Sequence, residues 1–379
     1  MRRPANSPNT NAIPAGAPKP LVLVVAGGTG GHLFPAEALA GALGERGAVV
    51  ELATDERATR YGAQFPARAT HVIPSATFRG RDPVAAMRTC AILGSGLARA
   101  WRLLGVLRPV AVIGFGGYPT VPPLVAATLR GVPSLIHEQN AVLGRANRLL
   151  APRVTAIAAG FPGVTDADPK LRAKTALTGN PVRPAVVAAS ATPYPEMGGP
   201  LRLVVFGGSQ GARIFADIVP PAIERLDGRL RARLSIVQQA RDEDLDRVRR
   251  TYEGLAVAAE VAPFFPDLPT RIAEAHLVVS RAGASTVAEL SAIGRPAILV
   301  PLPHALDQDQ LANATVLAKA GGAVLLRQDA FTAERLATEL AALAGDAERL
   351  RAMAVAARAA GSTDAAGRLA DLVLSLASD

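Results

Sequence analysis

The pattern of apolar and polar positions repeats one plan twice along the chain. Leu21 to Ala26 reads LVLVVA, and Leu201 to Phe206 reads LRLVVF. Each is a short apolar run of the kind that forms a central parallel strand buried on both faces. Each leads straight into glycine. Gly27-Gly28-Thr29-Gly30-Gly31-His32 follows the first, and Gly207-Gly208-Ser209-Gln210-Gly211 follows the second, 180 residues later. Each loop opens a helical pattern. The first has Pro35 near its start, Leu39 and Leu43 on one side and Gly47 as its stop. The second runs through Ile214, Ile218 and Ile223, with Pro220-Pro221 predicting a kink or break.

Further strands alternate with helical segments. In the first half they are Val49 to Ala53, Val110 to Gly114, Ser134 to His137 and Val154 to Ala158. In the second they are Leu234 to Gln238, Leu277 to Ser280, Ala297 to Val300 and Ala323 to Leu326. Such alternation predicts an α/β protein with two doubly wound, Rossmann-like domains. Their parallel sheets would face a cleft at the carboxyl ends of the strands. The stretch from Pro181 to Pro200 is rich in proline and reads as the link between domains. The expected organisation is a disordered tail over 1–20, one domain over 21–180 and a second over 181–379. The last helix is free to pack back on the first domain.

Composition adds limits. A chain of 379 residues is long enough for two cores, and its single cysteine, Cys90, excludes an internal disulfide. The net charge of +9 fits nucleic acid, an anionic membrane surface or anionic substrates. Arg2 and Arg3 are followed by no apolar segment, so no secretory signal is read at the start. Val110 to Leu129 is uncharged, but glycines and prolines interrupt it, which predicts strand, loop and helix rather than a membrane span.

A strand–glycine loop–helix unit presents open backbone N–H groups and the positive end of a helix dipole, so phosphate is its natural ligand. Tight turns use glycine for geometry alone as well, and only the repetition favours the anion. A dinucleotide fingerprint starting at Gly28 fails at Leu33, and neither loop has the lysine of a P-loop. Other polar clusters fall where strands are predicted to end: Gly114 to Tyr118, His137 to Asn140, Arg281 to Thr286, and Asp307 to Gln310 followed by Asn313. Each can equally hold turn or capping residues. No cluster has metal-ligand spacing, so no metal is expected.

At these residues the chain resembles the MurG family of N-acetylglucosaminyltransferases. The segments are GGTGGHLFPAEALA from Gly27, GFGGYPTVPP from Gly114, HEQNAVLGRANRLL from His137 and TGNPVR from Thr178. They continue with GGSQGAR from Gly207, SRAGASTVAEL from Ser280 and DQDQLANA from Asp307. The resemblance implies the GT-B fold, UDP-N-acetylglucosamine as donor, and lipid I, an undecaprenyl-diphosphate-linked acceptor, giving lipid II in peptidoglycan synthesis. It implies that Arg183, Ser209 and Gln310 contact the donor. Phe265 would offer its backbone to the uracil and ribose, alongside the run Ala284, Ser285, Thr286, Val287, Ala288 and Glu289. Glu289 would accept ribose hydroxyls. Thr29, Gly30, Gly31 and Asn140 would lie by the transferred sugar or acceptor diphosphate, with Gly116, Gly117 and Tyr118 on the acceptor side. One departure stands out: Gln238-Gln239 occupies the place of a family His-Gln.

Forming a β-1,4 link from an α-linked donor inverts the sugar, so one displacement suffices, with a base for the acceptor hydroxyl and no required cofactor. His32 is the first candidate base, because a helix start disfavours imidazolium. His137 and Glu138 are its rivals. A lipid-linked acceptor implies peripheral attachment to the cytoplasmic face of the bacterial inner membrane. Thr77 to Arg108 mixes Phe78, Met87 and Trp101 with Arg79, Arg81, Arg88, Arg99 and Arg102, a composition that suits an anionic lipid surface. An ordinary amphipathic helix is the other reading. Two different classes of function also stand. A sugar-nucleotide epimerase of the same fold would act on UDP-N-acetylglucosamine alone. A nucleic-acid binder is suggested by charge only, lacks aromatic platforms and is not expected.

Overall fold

The computed structural model of the protein describes residues 19–27, 30–56, 65–77, 82–208 and 211–377. The tail expected over 1–20 lies almost wholly outside these residues. Among them, two sheets carry the architecture. The first contains β1 (Leu21–Val25), β2 (Val49–Thr54), β3 (Thr70–Val72), β4 (Ala111–Gly114), β5 (Ser134–Glu138), β6 (Ala156–Ala159) and β7 (Thr175–Leu177), in the order β3-β2-β1-β4-β5-β6-β7. The second contains β8 (Leu201–Phe206), β9 (Leu234–Gln239), β10 (Ala258–Ala262), β11 (Leu277–Ser280), β12 (Ala297–Leu299) and β13 (Ala323–Leu325), in the order β10-β9-β8-β11-β12-β13. All neighbours in the second sheet pair in parallel, as do β1 with β2 and β4, β2 with β3, β4 with β5, and β6 with β7.

In each sheet the strand order reverses beside the first strand, at β1/β4 and at β8/β11. That reversal opens a crevice at the carboxyl ends, where doubly wound sheets bind ligands. Both glycine loops leave the sheet there. Packing divides the chain into two compact units. One comprises residues up to Ile136, with Leu149–Ala156 and Gly367–Asp379; the other comprises His137–Arg148 and Ile157–Ala366.

The second sheet shows the period of two expected of strands. Leu203 and Val205 enter a core with Phe215, Val219, Ile223 and Tyr252. Val204 and Phe206 face the opposite way, into a core with Val278, Leu290 and Ile293. The central strands match the apolar runs to within two residues at each end. Three edge strands, β3, β7 and β10, gave no such run. Apart from the buried Val261 of β10, their residues are exposed or half-buried, since an edge needs little apolar surface.

Two helices differ from expectation. The first begins at Gly30 and ends at Glu45, so Pro35 lies inside it rather than near its start. The other, Arg213–Glu224, runs unbroken through Pro220 and Pro221. Pro220 cannot donate to the Ala216 carbonyl four residues back. Nη1 of Arg247 donates to that carbonyl instead, at 3.1 Å. A neighbouring side chain thus replaces the donor lost at Pro220.

The basic apolar segment forms one 25-residue helix, Pro83–Leu107, whose first turn is capped by Asp82 accepting from the Val84 and Ala85 amides. Among the described residues, Val84–Leu107 is long and apolar enough to cross a membrane. Yet Thr89, Gly96, Ala100 and Leu104 form a buried stripe, and Gly96 lies so close to the Pro74 carbonyl that a side chain there would overlap it. One face therefore belongs to the core of the first unit. The other exposes Val84, Met87, Trp101 and Val106. The following stretch folds as strand β4, a tight turn Tyr118–Thr120 and helix Val121–Leu129, as expected.

Helix Ala284–Ile293 is seated by close backbone contact. Gly361 follows helix Ala347–Ala360, and a methyl group on it would overlap the backbone of Ser291 and Ala292. Gly361→Ala should therefore cost about 1–3 kcal/mol by overpacking. Urea unfolding is the measurement; an unchanged midpoint would show that the helices part without cost.

Candidate active site

In the first unit the backbone at the end of β1 is tied to β2. The Ala26 amide donates to the Ala53 carbonyl at 3.1 Å, and Thr54 Oγ1 donates to the Ala26 carbonyl at 2.7 Å. Gly28 and Thr29 lie outside the described residues. Gly30 is half-buried and Gly31 exposed at the helix start. His32, the third residue of that helix, is half-buried. A Cβ built on Gly27 would lie 3.6 Å from its Nδ1, and one on Gly117 would lie 3.5 Å from its Cε1. The imidazole is thus packed between two glycines. Gly116 and Gly117 have φ of 83° and 76°, a region that suits glycine. Tyr118 follows, half-buried, in the tight turn. The β1/β4 switch point thereby joins GGTGGH to GFGGY, two motifs that start 87 residues apart.

In the second unit the glycine loop after β8 is held by Gln239. Its Oε1 accepts from the Gly207 amide at 2.9 Å, while its Nε2 donates to the Gly208 carbonyl at 3.0 Å and the Pro263 carbonyl at 3.1 Å. Gly208 has φ of 87°. Ser209 lies outside the described residues. The helix Arg213–Glu224 that follows has no side-chain cap at Ala212. The third bond of Gln239 reaches the loop that carries Phe265, a buried ring covered by the Arg271 guanidinium at 4.5 Å. The Phe265 carbonyl accepts from the Leu268 amide at 3.3 Å. The neighbouring Gln238 is fully buried, donates to the Phe215 carbonyl and accepts from the Tyr252 hydroxyl. The Gln-Gln departure thus divides into a core residue and a clamp on the loop.

The remaining motifs of this unit form one polar network. His137 Nε2 bonds the Gly179 carbonyl at 3.0 Å, and Asn180 Nδ2 donates to the Gln139 carbonyl at 2.9 Å. Asn313, fully buried, accepts from the Ala141 amide at 2.7 Å and donates to Asn140 Oδ1 and the Ala282 carbonyl. Gln310 Oε1 accepts from the Ala282 and Leu302 amides at 3.3 and 3.0 Å. Asp307 and Gln308, beside it, hold φ of 55° and 58°. Left-handed backbone at two consecutive non-glycine residues is strain of the kind that collects at ligand sites. Arg183 donates through Nε and Nη2 to Glu289 Oε1, at 3.2 and 3.0 Å. Burial pushes the Glu289 carboxyl up, and Arg183 opposes that shift. Helix Ala284–Ile293 starts at an uncapped Gly283. It leaves Ala284, Ser285, Thr286 and Ala288 half-buried, and Val287 and Glu289 buried.

The three candidate bases differ sharply in access. His137 is fully buried, and burial lowers its pKa to about 4. Because a carbonyl can only accept, Nε2 carries the proton and donates it to Gly179. Glu138 is buried too. It accepts from the Asn140 amide and Nδ2, the Gly144 amide and Asn147 Nδ2, at 2.8–3.2 Å. Burial pushes this carboxyl up, and the four donors work against that. Both oxygens are occupied in shaping the 139–144 loop. His32 is the one of the three with exposed surface. Sequence reasoning did not place Gln239, Asn180, Asn147 or Asn313 in the site. Asn313 and Asn180 stand within the motifs, but nothing in a sequence separates an amide that clamps a loop from one that faces solvent.

Comparison with known proteins adds identity to this geometry. Residues 22–159 match the glycosyltransferase family 28 N-terminal domain, and residues 202–369 match its C-terminal domain. The UDP-N-acetylglucosamine–N-acetylmuramyl-(pentapeptide) pyrophosphoryl-undecaprenol N-acetylglucosamine transferase of Rhodopseudomonas palustris (strain BisA53) is 61% identical over 95% of this chain and 97% of its own. The enzyme of that name from Nitrobacter winogradskyi is 59% identical over 94% and 98%. Acinetobacter baumannii MurG superposes with a TM-score of 0.78 at 30% identity, covering 94% of this chain and all of that one. A UDP-GlcNAc 2-epimerase from Neisseria meningitidis shares the fold alone, with a TM-score of 0.66 at 15% identity over 94% of this chain and all of that one. Two parallel Rossmann-like sheets, glycine loops at both switch points and relatives matched along nearly their whole length lead to one assignment: the chain has the GT-B fold and belongs to the MurG family of glycosyltransferases.

Proposed function

We propose that the protein transfers N-acetylglucosamine from UDP-N-acetylglucosamine to the 4-hydroxyl of the N-acetylmuramoyl unit of lipid I, forming lipid II. The observation that carries this reading is the identity of 61% with a transferase of that name over 95% of this chain. The direct test is transfer of labelled N-acetylglucosamine to lipid I or a short-chain analogue. Release of UDP with no glycosylated acceptor would reject it in favour of epimerase-like chemistry.

The reaction is a single displacement with inversion. As the acceptor O4–C1 bond forms, the bond from C1 to the diphosphate oxygen breaks, and its electron pair leaves on UDP. His32 takes the O4 proton. The occupied lone pairs of Glu138 and the complete burial of His137 support His32 over both rivals. The uncapped start of helix Arg213–Glu224 and its glycine loop meet the charge on the leaving diphosphate, with no cofactor invoked. Arg183, Glu289, Gln310 and the first turns of helix Ala284–Ile293 hold the rest of the donor. The exposed face of helix Pro83–Leu107, with Val84, Met87 and Arg88, rests on the anionic cytoplasmic surface of the membrane. Phe78, Arg79 and Arg81 lie outside the described residues.

Gln239→Met keeps the length of the side chain and removes all three hydrogen bonds. Each buried group left unserved costs about 1–3 kcal/mol, so the glycine loop should loosen and UDP affinity fall by roughly tenfold or more. Calorimetry on the folded variant decides this; wild-type affinity would remove Gln239 from donor binding.

His32→Ala should lower turnover by about 10²-fold or more with little change in donor affinity. The rate of the wild type should fall as acid protonates the base, and the variant should lose that limb. Turnover restored by saturating acceptor, with the acidic limb still present, would instead make His32 an acceptor-binding residue.

Val84→Asp with Met87→Asp should cut binding to vesicles containing anionic lipid by more than about tenfold, since burying each apolar side chain contributes about 1.5–3 kcal/mol. Transfer to a water-soluble acceptor analogue should persist. Vesicle binding equal to wild type in co-sedimentation would reject this face.

A further inference from the structure

We infer that the second unit carries another binding site, for a small molecule with an acidic group on an apolar body, at the C-terminal end of helix Ala284–Ile293. The candidate donor residues occupy the other half of that helix, from Ala284 to Glu289. A cavity of about 670 Å³ opens where the chain turns at Ile293, Gly294 and Arg295, between the 190–194 segment and helix Ala347–Ala360. This volume falls within the range of small-molecule pockets, about 300–1,000 Å³. Its apolar wall includes Pro193, Ile293, Ala354 and Val355.

The charge in this cavity has one sign. Arg295, Arg351 and Arg358 line it and no carboxylate does. Among the described residues none of the three forms an ion pair. Arg295 is buried and spends its donors on the carbonyls of Thr192, Pro193, Ala273, Ile293 and Gly294. It ties the segments together and contributes field rather than hydrogen bonds to a ligand. Burial, with repulsion from Arg358, lowers its pKa to about 10. Arg358 gives Nη1 to the Ser190 and Ala292 carbonyls, both at 2.7 Å, and its other nitrogens make no hydrogen bond among the described residues. Arg351, which is exposed, makes no hydrogen bond among the described residues.

Helical geometry places the last two arginines together. Positions 351 and 358 are two turns apart on one face, separated by roughly 10 Å along the axis. Two forked guanidinium groups then reach over Ala354 and Val355 toward the same volume. Carbonyl dipoles at the helix end offset part of the charge, but they are already engaged by Arg295 and Arg358. An acidic group between Arg351 and Arg358 gains charge-assisted bonds, and an apolar body covers Val355, which is 71% exposed. A nucleotide sugar, polar throughout, suits the apolar wall poorly.

The probe is 8-anilinonaphthalene-1-sulfonate, with its uncharged counterpart N-phenyl-1-naphthylamine as control. Fluorescence titration of the full chain should give a saturable site for the sulfonate that UDP does not displace. Arg351→Glu removes a donor, and Ala359→Glu adds a repelling charge on the cavity lining outside the apolar wall. Both positions are exposed, and thermal unfolding checks that each variant is folded. Each should weaken the sulfonate site by at least about tenfold and leave the neutral probe unchanged. Wild-type sulfonate affinity in both variants, equal loss of the neutral probe, or displacement by UDP would overturn the inference.

Discussion

A parallel strand loses its pairing where the chain leaves the sheet, yet the backbone groups there must still be hydrogen-bonded when buried. Most of the polar architecture of this protein answers that constraint. Thr54 serves the carbonyl at the end of β1, Gln239 serves both faces of the loop after β8, and Arg281 donates to the Val300 and Pro301 carbonyls beyond β12. Gln310 and Asn313 do the same for amides and carbonyls at 141, 282 and 302. Carboxamides suit this work because one side chain both donates and accepts. The edge of the sheet that must bind ligands is therefore also cross-linked by side chains, which fixes its described backbone before any substrate arrives.

Burial then decides which motif residues are free to do chemistry. His137 and Glu138 have the side chains of a base, but both are buried where the chain leaves β5, and the oxygens of Glu138 are committed to that turn. Removing the Glu138 carboxylate would leave four donors unserved. Their place in the motif follows from the shape of the loop that presents Asn140. His32 is different: its ring stands between Gly27 and Gly117 and keeps exposed surface.

The central strands were legible because burial on both faces demands uninterrupted apolar runs. The edge strands β3, β7 and β10 were not, since one side of each is open and alanine, threonine and glutamate suffice. The unbroken helix through Pro220 and Pro221 was illegible for another reason: the group that rescues it, Arg247, lies 27 residues further on, and sequence shows no proximity. Within the site, the motifs marked which loops matter, and periodicity placed them at strand ends. What a linear reading could not supply was the partner of each polar side chain. The pair Gln238-Gln239 stood out against a family His-Gln, but the three bonds of Gln239 appear only once β8, β9 and the loop after β10 are side by side.

The first compact unit is built from both early and late parts of the chain. Its helix Gly30–Glu45 is followed by Arg46, which pairs with Asp371 at 2.7 Å, and residues from Gly367 onward pack within that unit. A ribosome releases these pieces in order, more than 300 residues apart. At roughly 5–20 residues per second, tens of seconds separate them. During translation the first sheet must therefore wait, lacking its closing helix, while the whole second unit emerges.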